Sequence, residues 1–281
     1  MRAAGLNPVD VAICSGGFYA GTPPIPCVAG REGVGTLADG QRVYFDLPVA
    51  PWGSMAERTP IAAGSAFPLP DGVQDGVAVA LGIAGLAAWL SLTWRARLQA
   101  GEHVLVLGAS GIVGQVAVQA AKLLGASAVV AAARSQEGLE RARARGADAT
   151  VTIGAVDDLS AALREAAEGQ IDVVIDPLFG EPFAAAVEAA SFGARLVNLG
   201  ASAGPQATLS SPAIRGKMLV IMGHTNFAAP PEVKREAYLR MTAAAARGEL
   251  EVDVEEFGLE RVGDAWARLG ESTAKKIVLV P

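Results

Sequence analysis

Between His103 and Gly223, short apolar runs alternate with alanine-rich segments, and this alternation leaves few folds open. The run HVLVLG (103–108) ends on glycine, as a buried strand entering a turn does. After it, Val113, Ala117, Ala120, Ala121 and Leu124 recur at the spacing of one helix face, and Gly125 stands where a helix ends. AVVAAA (128–133), ATVTI (149–153), IDVVID (171–176), ARLVNLG (194–200) and KMLVIMG (217–223) read as further strands. Most are separated by helical segments such as SQEGLERARARG (135–146). Connections of that length do not make hairpins; they carry the chain back to start a parallel neighbour, which gives a sheet covered on both faces. Right-handed crossovers then make it a doubly wound α/β fold.

The flanks differ in texture. Residues 1–73 are rich in Gly and Pro, with short β-type pieces such as QRVYF (41–45), and the tail after 243 is again β-rich. The expected organisation is a β-rich domain over 1–73, a nucleotide-binding domain over 74–242, and a return to the first domain over 243–281. The longest apolar stretch, Val77–Leu92, is shorter than the roughly 20 residues a membrane helix needs and reads as one buried core helix. A net charge of −6 argues against a nucleic-acid partner. Cys14 and Cys27 are too few for a disulfide framework and read as small, reduced apolar residues of a cytoplasmic protein. The only histidines, His103 and His224, share no local cluster with a cysteine, so no zinc ligand set is expected.

The strongest motif is GASGIVG, Gly108–Gly114, placed between a strand and a helix as a dinucleotide-binding loop must be. Gly108 would allow the tight turn. Gly111 would let a pyrophosphate approach the backbone and helix N-terminus, with Ser110, Ile112 and Val113 beside it, and Gly114 would let helix and strand pack closely. NAD-binding domains place an acid at the tip of the second strand to hold the ribose hydroxyls. This chain has Arg134-Ser135 there, with no acid until Glu137. An arginine fork and a hydroxyl suit a 2′-phosphate, so NADP(H) is the expected cofactor.

AAGLNPVD, PCVAGREGVG (26–35), GIAGLAAWLSL, GASGIVGQVAVQAAKLLGA and the terminal KKIVLVP occur in an order that resembles the medium-chain dehydrogenase/reductase superfamily, in its zinc-independent quinone oxidoreductase-like branch. The resemblance implies a GroES-like catalytic domain beside a Rossmann domain. It also implies hydride transfer from NADPH to a quinone or an activated carbon–carbon double bond. Asn7 stands where zinc-dependent relatives have a cysteine and matches a polar, cleft-lining residue able to hydrogen-bond a carbonyl oxygen; a turn residue before proline is the other reading. Tyr19, or Phe18 one position away, matches a substrate-pocket tyrosine, with packing as the other reading, and Asp10 reads as an Asx-type or helix-capping residue. Leu199, Gly200, Asn226 and Phe227 match cofactor-contacting loops, and Lys275 could approach a phosphate, although a lysine pair near a terminus is usually solvated.

The resemblance also implies a homodimer paired through the edge strand KMLVIMG. In relatives, a stretch equivalent to RAAGLNPVD follows earlier β-strands, so an N-terminally truncated catalytic domain is expected here. An alcohol/ketone oxidoreductase and a catalytically silent NADP-binding sensor are the alternatives.

Overall fold

The computed structural model describes residues 1–18, 21, 23–271 and 274–281. Its strands are β1 (Ala3–Gly5), β2 (Glu32–Thr36), β3 (Arg42–Phe45), β4 (Phe67–Pro68), β5 (His103–Leu107), β6 (Ala128–Ala133), β7 (Ala149–Thr152), β8 (Val173–Asp176), β9 (Arg195–Asn198), β10 (Val220–Gly223), β11 (Val254–Gly258) and β12 (Lys276–Val280). Its α-helices are α1 (Pro8–Cys14), α2 (Asp75–Ala80), α3 (Ile83–Leu90), α4 (Ile112–Leu123), α5 (Gln136–Ala144), α6 (Leu159–Ala166), α7 (Gly180–Ala189), α8 (Ser211–Gly216), α9 (Pro231–Ala246) and α10 (Val262–Gly270). The chain divides into two compact units, Met1–Leu86 with Pro231–Pro281, and Ala87–Pro230.

The first unit is the GroES-like domain, built on a six-stranded sheet in the order β11-β12-β1-β2-β3-β4. Only β11 and β12 run parallel; β1 is hydrogen-bonded antiparallel to β12 on one side and to β2 on the other. The register pairs Ala4 with both Leu279 and Gly33, so the two ends of the sequence meet at the centre of this sheet. One core cluster packs Leu6, Met55, Ala265, Ile277 and Leu279 together. Elsewhere Tyr44 and Tyr238 stack with centroids 4.3 Å apart, and Tyr238 donates to the Ala78 carbonyl at 2.8 Å.

The domain limits shift from those expected. Helix α2 packs on β1 and β2, and α9 packs on β4, so both belong with the β-rich sheet. The stretch Val77–Leu92 is two helices rather than one, followed by a π-helical turn at Ser91–Arg95. A side chain at Gly82 would run into Tyr44 and Glu32, and the neighbouring Ile83 N–H is donated to Glu32 Oε2 at 2.6 Å. The break is therefore where β2 and β3 press closest to the helical segment.

The second unit is the Rossmann domain, with a parallel sheet in the order β10-β9-β8-β5-β6-β7. Its core is formed by apolar residues of β5 to β9 together with Leu163, Phe183 and Val187 of the covering helices. The end of α4 shows how sequence sets an element boundary: Gly125, at φ +93°, takes a left-handed conformation open to glycine at little cost. Among the described residues, no helix is long and apolar enough to cross a membrane.

Candidate functional site

In the Rossmann unit, the direction in which successive strands are added to the sheet reverses between β5 and β8, and crevices for nucleotides open at the carboxyl ends of strands at such a switch point. Gly108–Gly114 follows β5 there. Arg134 and Ser135 follow β6, Leu199 and Gly200 follow β9, and Asn226 and Phe227 come soon after β10. Because all six strands are parallel, these segments share one edge of the sheet.

Each glycine of the loop has its own surroundings. Gly108 adopts φ +62°. A side chain on Gly114 would press on the Gly108 carbonyl and come within 2.5 Å of Ala109 Cα, so this glycine lets α4 lie against the turn. A side chain on Gly111 would meet only the Gly108 carbonyl oxygen, at 3.6 Å, so the space in front of it is open. Gly111 is the N-cap of α4 and offers no side-chain cap, which leaves the first-turn amides of Ile112, Val113 and Gly114 without an intrahelical acceptor. Open space before a helix N-terminus is what a pyrophosphate needs. Ser110 is fixed from behind: its carbonyl accepts from Gln115 Nε2 at 2.9 Å, and its side chain lies where a Cβ on Gly138 would fall.

Arg134 is exposed at the tip of β6 and has no hydrogen bond or ion pair among the described residues. Ser135 caps α5 by accepting from Gly138 N at 3.1 Å, so one of its acceptor sites serves the fold. The carboxylate of this edge lies on β8 instead. Asp176, fully buried, accepts from Leu178 N and Phe179 N (both 2.9 Å) through Oδ1 and from Asn198 Nδ2 (2.8 Å) through Oδ2. Burial raises its pKa above the ordinary carboxylate value. Asn198 also donates to the Gly200 carbonyl at 2.8 Å, so this pair ties the loops after β8 and β9 to each other. Farther along the edge, His224 Nε2 lies 2.9 Å from Asn226 Oδ1, and its ring meets Trp94 edge-on.

The GroES-like unit holds a second polar cluster. Asn7 caps α1, where Asp10 Oδ2 accepts its backbone N–H at 2.8 Å. The Asn7 side-chain amide donates to Glu32 Oε1 at 2.8 Å and to Asp10 Oδ2 at 3.3 Å, and its carbonyl oxygen accepts from Lys276. Lys276 is also paired with Glu32 at 2.7 Å, while Tyr44 donates to the other Glu32 oxygen at 2.8 Å. Burial, and then the Glu32 charge, push the Tyr44 hydroxyl well above its usual pKa, which keeps it a donor.

Lys276 is thus buried rather than solvated. It opens an apolar strand whose interior position needs a counter-charge, and Glu32 supplies it. Lys275 is exposed just before β12 in the same unit, and Tyr19 lies outside the described residues. Cys14 and Cys27 are exposed free thiols rather than packed apolar residues. Among the described residues, no group of three or more His, Cys, Asp and Glu could hold a metal ion.

Comparison with known proteins agrees with this architecture. A family model described as zinc-binding dehydrogenase matches residues 113–243. The chain is 30% identical over 290 residues to a phenolphthiocerol/phthiocerol polyketide synthase subunit of Mycobacterium tuberculosis, covering 99% of this chain and 13% of that one. It is 30% identical over 210 residues to the quinone oxidoreductase of Rattus norvegicus, covering 71% of this chain and 63% of the relative. The chain therefore spans about an eighth of the synthase polypeptide and under two thirds of the rat enzyme. The quinone oxidoreductase of Thermus thermophilus, solved alone and with NADPH, superposes with a TM-score of 0.82 at 28% identity, over all of this chain and 89% of that one. The chain belongs to the medium-chain dehydrogenase/reductase superfamily, in its quinone oxidoreductase-like branch.

Proposed function

We propose that this protein is an NADP(H)-dependent, zinc-free oxidoreductase that reduces a quinone or an α,β-unsaturated carbonyl compound in the cytoplasm. The observation that carries the reading is the pairing, on one sheet edge, of an open glycine loop at the switch point with an unpaired arginine at the next strand tip. The relatives support it, since two are quinone oxidoreductases and one of these was solved with NADPH.

NADPH would supply the hydride; what this chain supplies is placement. The first-turn amides of Ile112, Val113 and Gly114 would receive the pyrophosphate, with Ser110 at the loop and Arg134 and Ser135 at the 2′-phosphate. Leu199 and Gly200, held by the Asp176–Asn198 bond, and Asn226 and Phe227 would bound the same edge. A conjugated acceptor is already electrophilic, so orientation accounts for much of the catalysis and no metal is required. On the substrate side, Asn7 would turn its amide to a carbonyl oxygen by giving up the long contact to Asp10, with Tyr19 as the other candidate, while Lys275 would approach a cofactor phosphate.

Calorimetric titration with NADPH and NADH, followed by stopped-flow oxidation of bound NADPH by 1,4-benzoquinone and an enone panel, tests the reading. Tighter NADPH binding with turnover supports it. Preference for NADH, or binding with no oxidation by any acceptor, overturns it in favour of the dehydrogenase or sensor alternatives.

A further inference from the structure

Behind the glycine loop, a buried side chain of α4 decides where Ser110 stands. Gln115 has no exposed surface. Its Nε2 donates to the Ser110 carbonyl at 2.9 Å, and its Oε1 accepts from Arg145, the residue that closes α5. A carbonyl only accepts and a guanidinium only donates, so these two neighbours fix which way round the carboxamide sits. The charged donor on Oε1 also polarises the amide, which makes Nε2 a better donor to Ser110. Ser110 is thereby tied, through α4, to the far end of α5.

The Ser110 side chain meets the near end of the same helix. A Cβ on Gly138, in the first turn of α5, would collide with Ser110 Cβ and lie 3.5 Å from Ser135 Cβ. The two serine side chains are therefore neighbours, and the glycine between them is what lets them approach. The Ser110 hydroxyl makes no hydrogen bond among the described residues and is not shut from solvent. Ser135 accepts from Gly138 N, which leaves its own O–H to donate. Arg134, next to Ser135, is exposed and has no ion pair among the described residues, while the acid of this turn, Glu137, is paired with Arg141 at 2.8 Å. Two hydroxyls and a guanidinium around one strand tip suit a charged group with several acceptor oxygens.

We propose that Ser110 reads the 2′-phosphate of NADP(H) together with Arg134 and Ser135, and that Gln115 is the positioning residue that holds it there. The glycine loop then serves both charged parts of the nucleotide. The backbone amides that open α4 take the pyrophosphate, and the Ser110 side chain, lying against α5, takes the 2′-phosphate. Gly138 belongs to the same device, because any side chain there would drive Ser110 away from Ser135. The inference rests on NADP(H) being the cofactor.

The test is calorimetric titration of the full chain and its variants with NADPH, NADH and adenosine 2′-phosphate, a probe that has no pyrophosphate. Ser110→Ala should weaken NADPH and adenosine 2′-phosphate alike, by about tenfold, the lower end for a hydrogen bond to a charged group, and leave NADH unchanged. Gln115→Glu keeps an acceptor for Arg145 but sets a second acceptor against the Ser110 carbonyl. It should lower the ratio of NADPH to NADH affinity, and it should not lower that ratio further once Ser110 is alanine. A residue needed only for packing would weaken both nucleotides and leave the ratio as it was. Equal losses of NADPH and NADH in Ser110→Ala would assign Ser110 to the pyrophosphate and overturn the proposal, as would no loss of either, whether or not the Gln115 variant folds. A parent protein that prefers NADH removes the cofactor assignment itself, whereas a parent that prefers NADPH with an unchanged preference in Ser110→Ala removes only the role of Ser110.

Discussion

Lys276 Nζ lies 2.7 Å from Glu32 Oε1, with 3% of the lysine side chain and none of the glutamate side chain exposed. The pair joins the last strand of the GroES-like sheet to β2, and Asn7, Tyr44 and Ile83 N complete its hydrogen bonds. Removing one member leaves a buried charge unpaired, which costs about 3–5 kcal/mol, whereas replacing both by apolar groups is far cheaper. Lys276→Met should lower the stability of this unit by that amount in urea unfolding. Lys276→Met with Glu32→Gln should recover part of it, and equal midpoints for the single variant and the parent would refute the assignment.

Asp10 makes stability depend on pH in the direction opposite to most carboxylates. Its folded pKa of about 6 exceeds the unfolded value of 3.8, so the folded state holds the proton more tightly. The resulting stabilisation is full below about pH 4, declines through pH 6 and is absent above it; the whole effect is on the order of 3 kcal/mol. Other carboxylates contribute with the opposite sign, so the measurement is the difference between the parent and Asp10→Asn. That difference should shrink by about 3 kcal/mol between pH 4 and pH 7.5.

The Rossmann half was legible because its signals are local. Each strand from His103 to Gly223 is a continuous apolar run, and Gly108, Gly111 and Gly114 fall within a seven-residue window. The structure's polar clusters join residues remote in sequence. Asp176 and Asn198 are 22 residues apart, and Glu32 and Lys276 are 244 apart, so nothing near either partner marks the bond. Lys276 beside Lys275 looks like a solvated pair, and only β12's position inside the sheet reverses that. The split between α2 and α3 was hidden for the same reason, since Tyr44 and Glu32 enforce it from other strands.

Gly111 and Gly114 should behave differently when changed to alanine. At Gly111 the backbone is extended and the added methyl group meets no side chain, so Gly111→Ala should change stability by no more than about 1 kcal/mol. It should still weaken NADPH binding, because the methyl group projects into the space reserved for pyrophosphate. Gly114→Ala places the methyl group against backbone atoms of Gly108 and Ala109 and should cost about 1–3 kcal/mol of stability as well. Thermal unfolding and nucleotide titration of the two variants separate these roles.

Arg134 is predicted to read the 2′-phosphate. A charge-assisted hydrogen bond is worth about 1.5–3 kcal/mol, so Arg134→Ala should weaken NADPH binding by about ten- to a hundredfold. NADH, which lacks the phosphate, should bind as before. An equal loss for both nucleotides would mean that Arg134 supports the loop rather than the cofactor.

A second copy of the chain is predicted to pair at the outer edge of the Rossmann sheet. In and just before β10, Met218, Val220 and Ile221 are 66%, 46% and 38% exposed, and among the described residues the strand pairs only with β9. An apolar edge with free backbone groups invites another strand. Joining two such edges would extend one six-stranded sheet into a twelve-stranded one while covering these side chains. Solution scattering should therefore give the mass of a dimer. Val220→Lys, which places a charge in the middle of that pairing, should shift the mass to that of a monomer without changing NADPH affinity. A monomeric parent protein at all concentrations would remove the dimer from the functional reading.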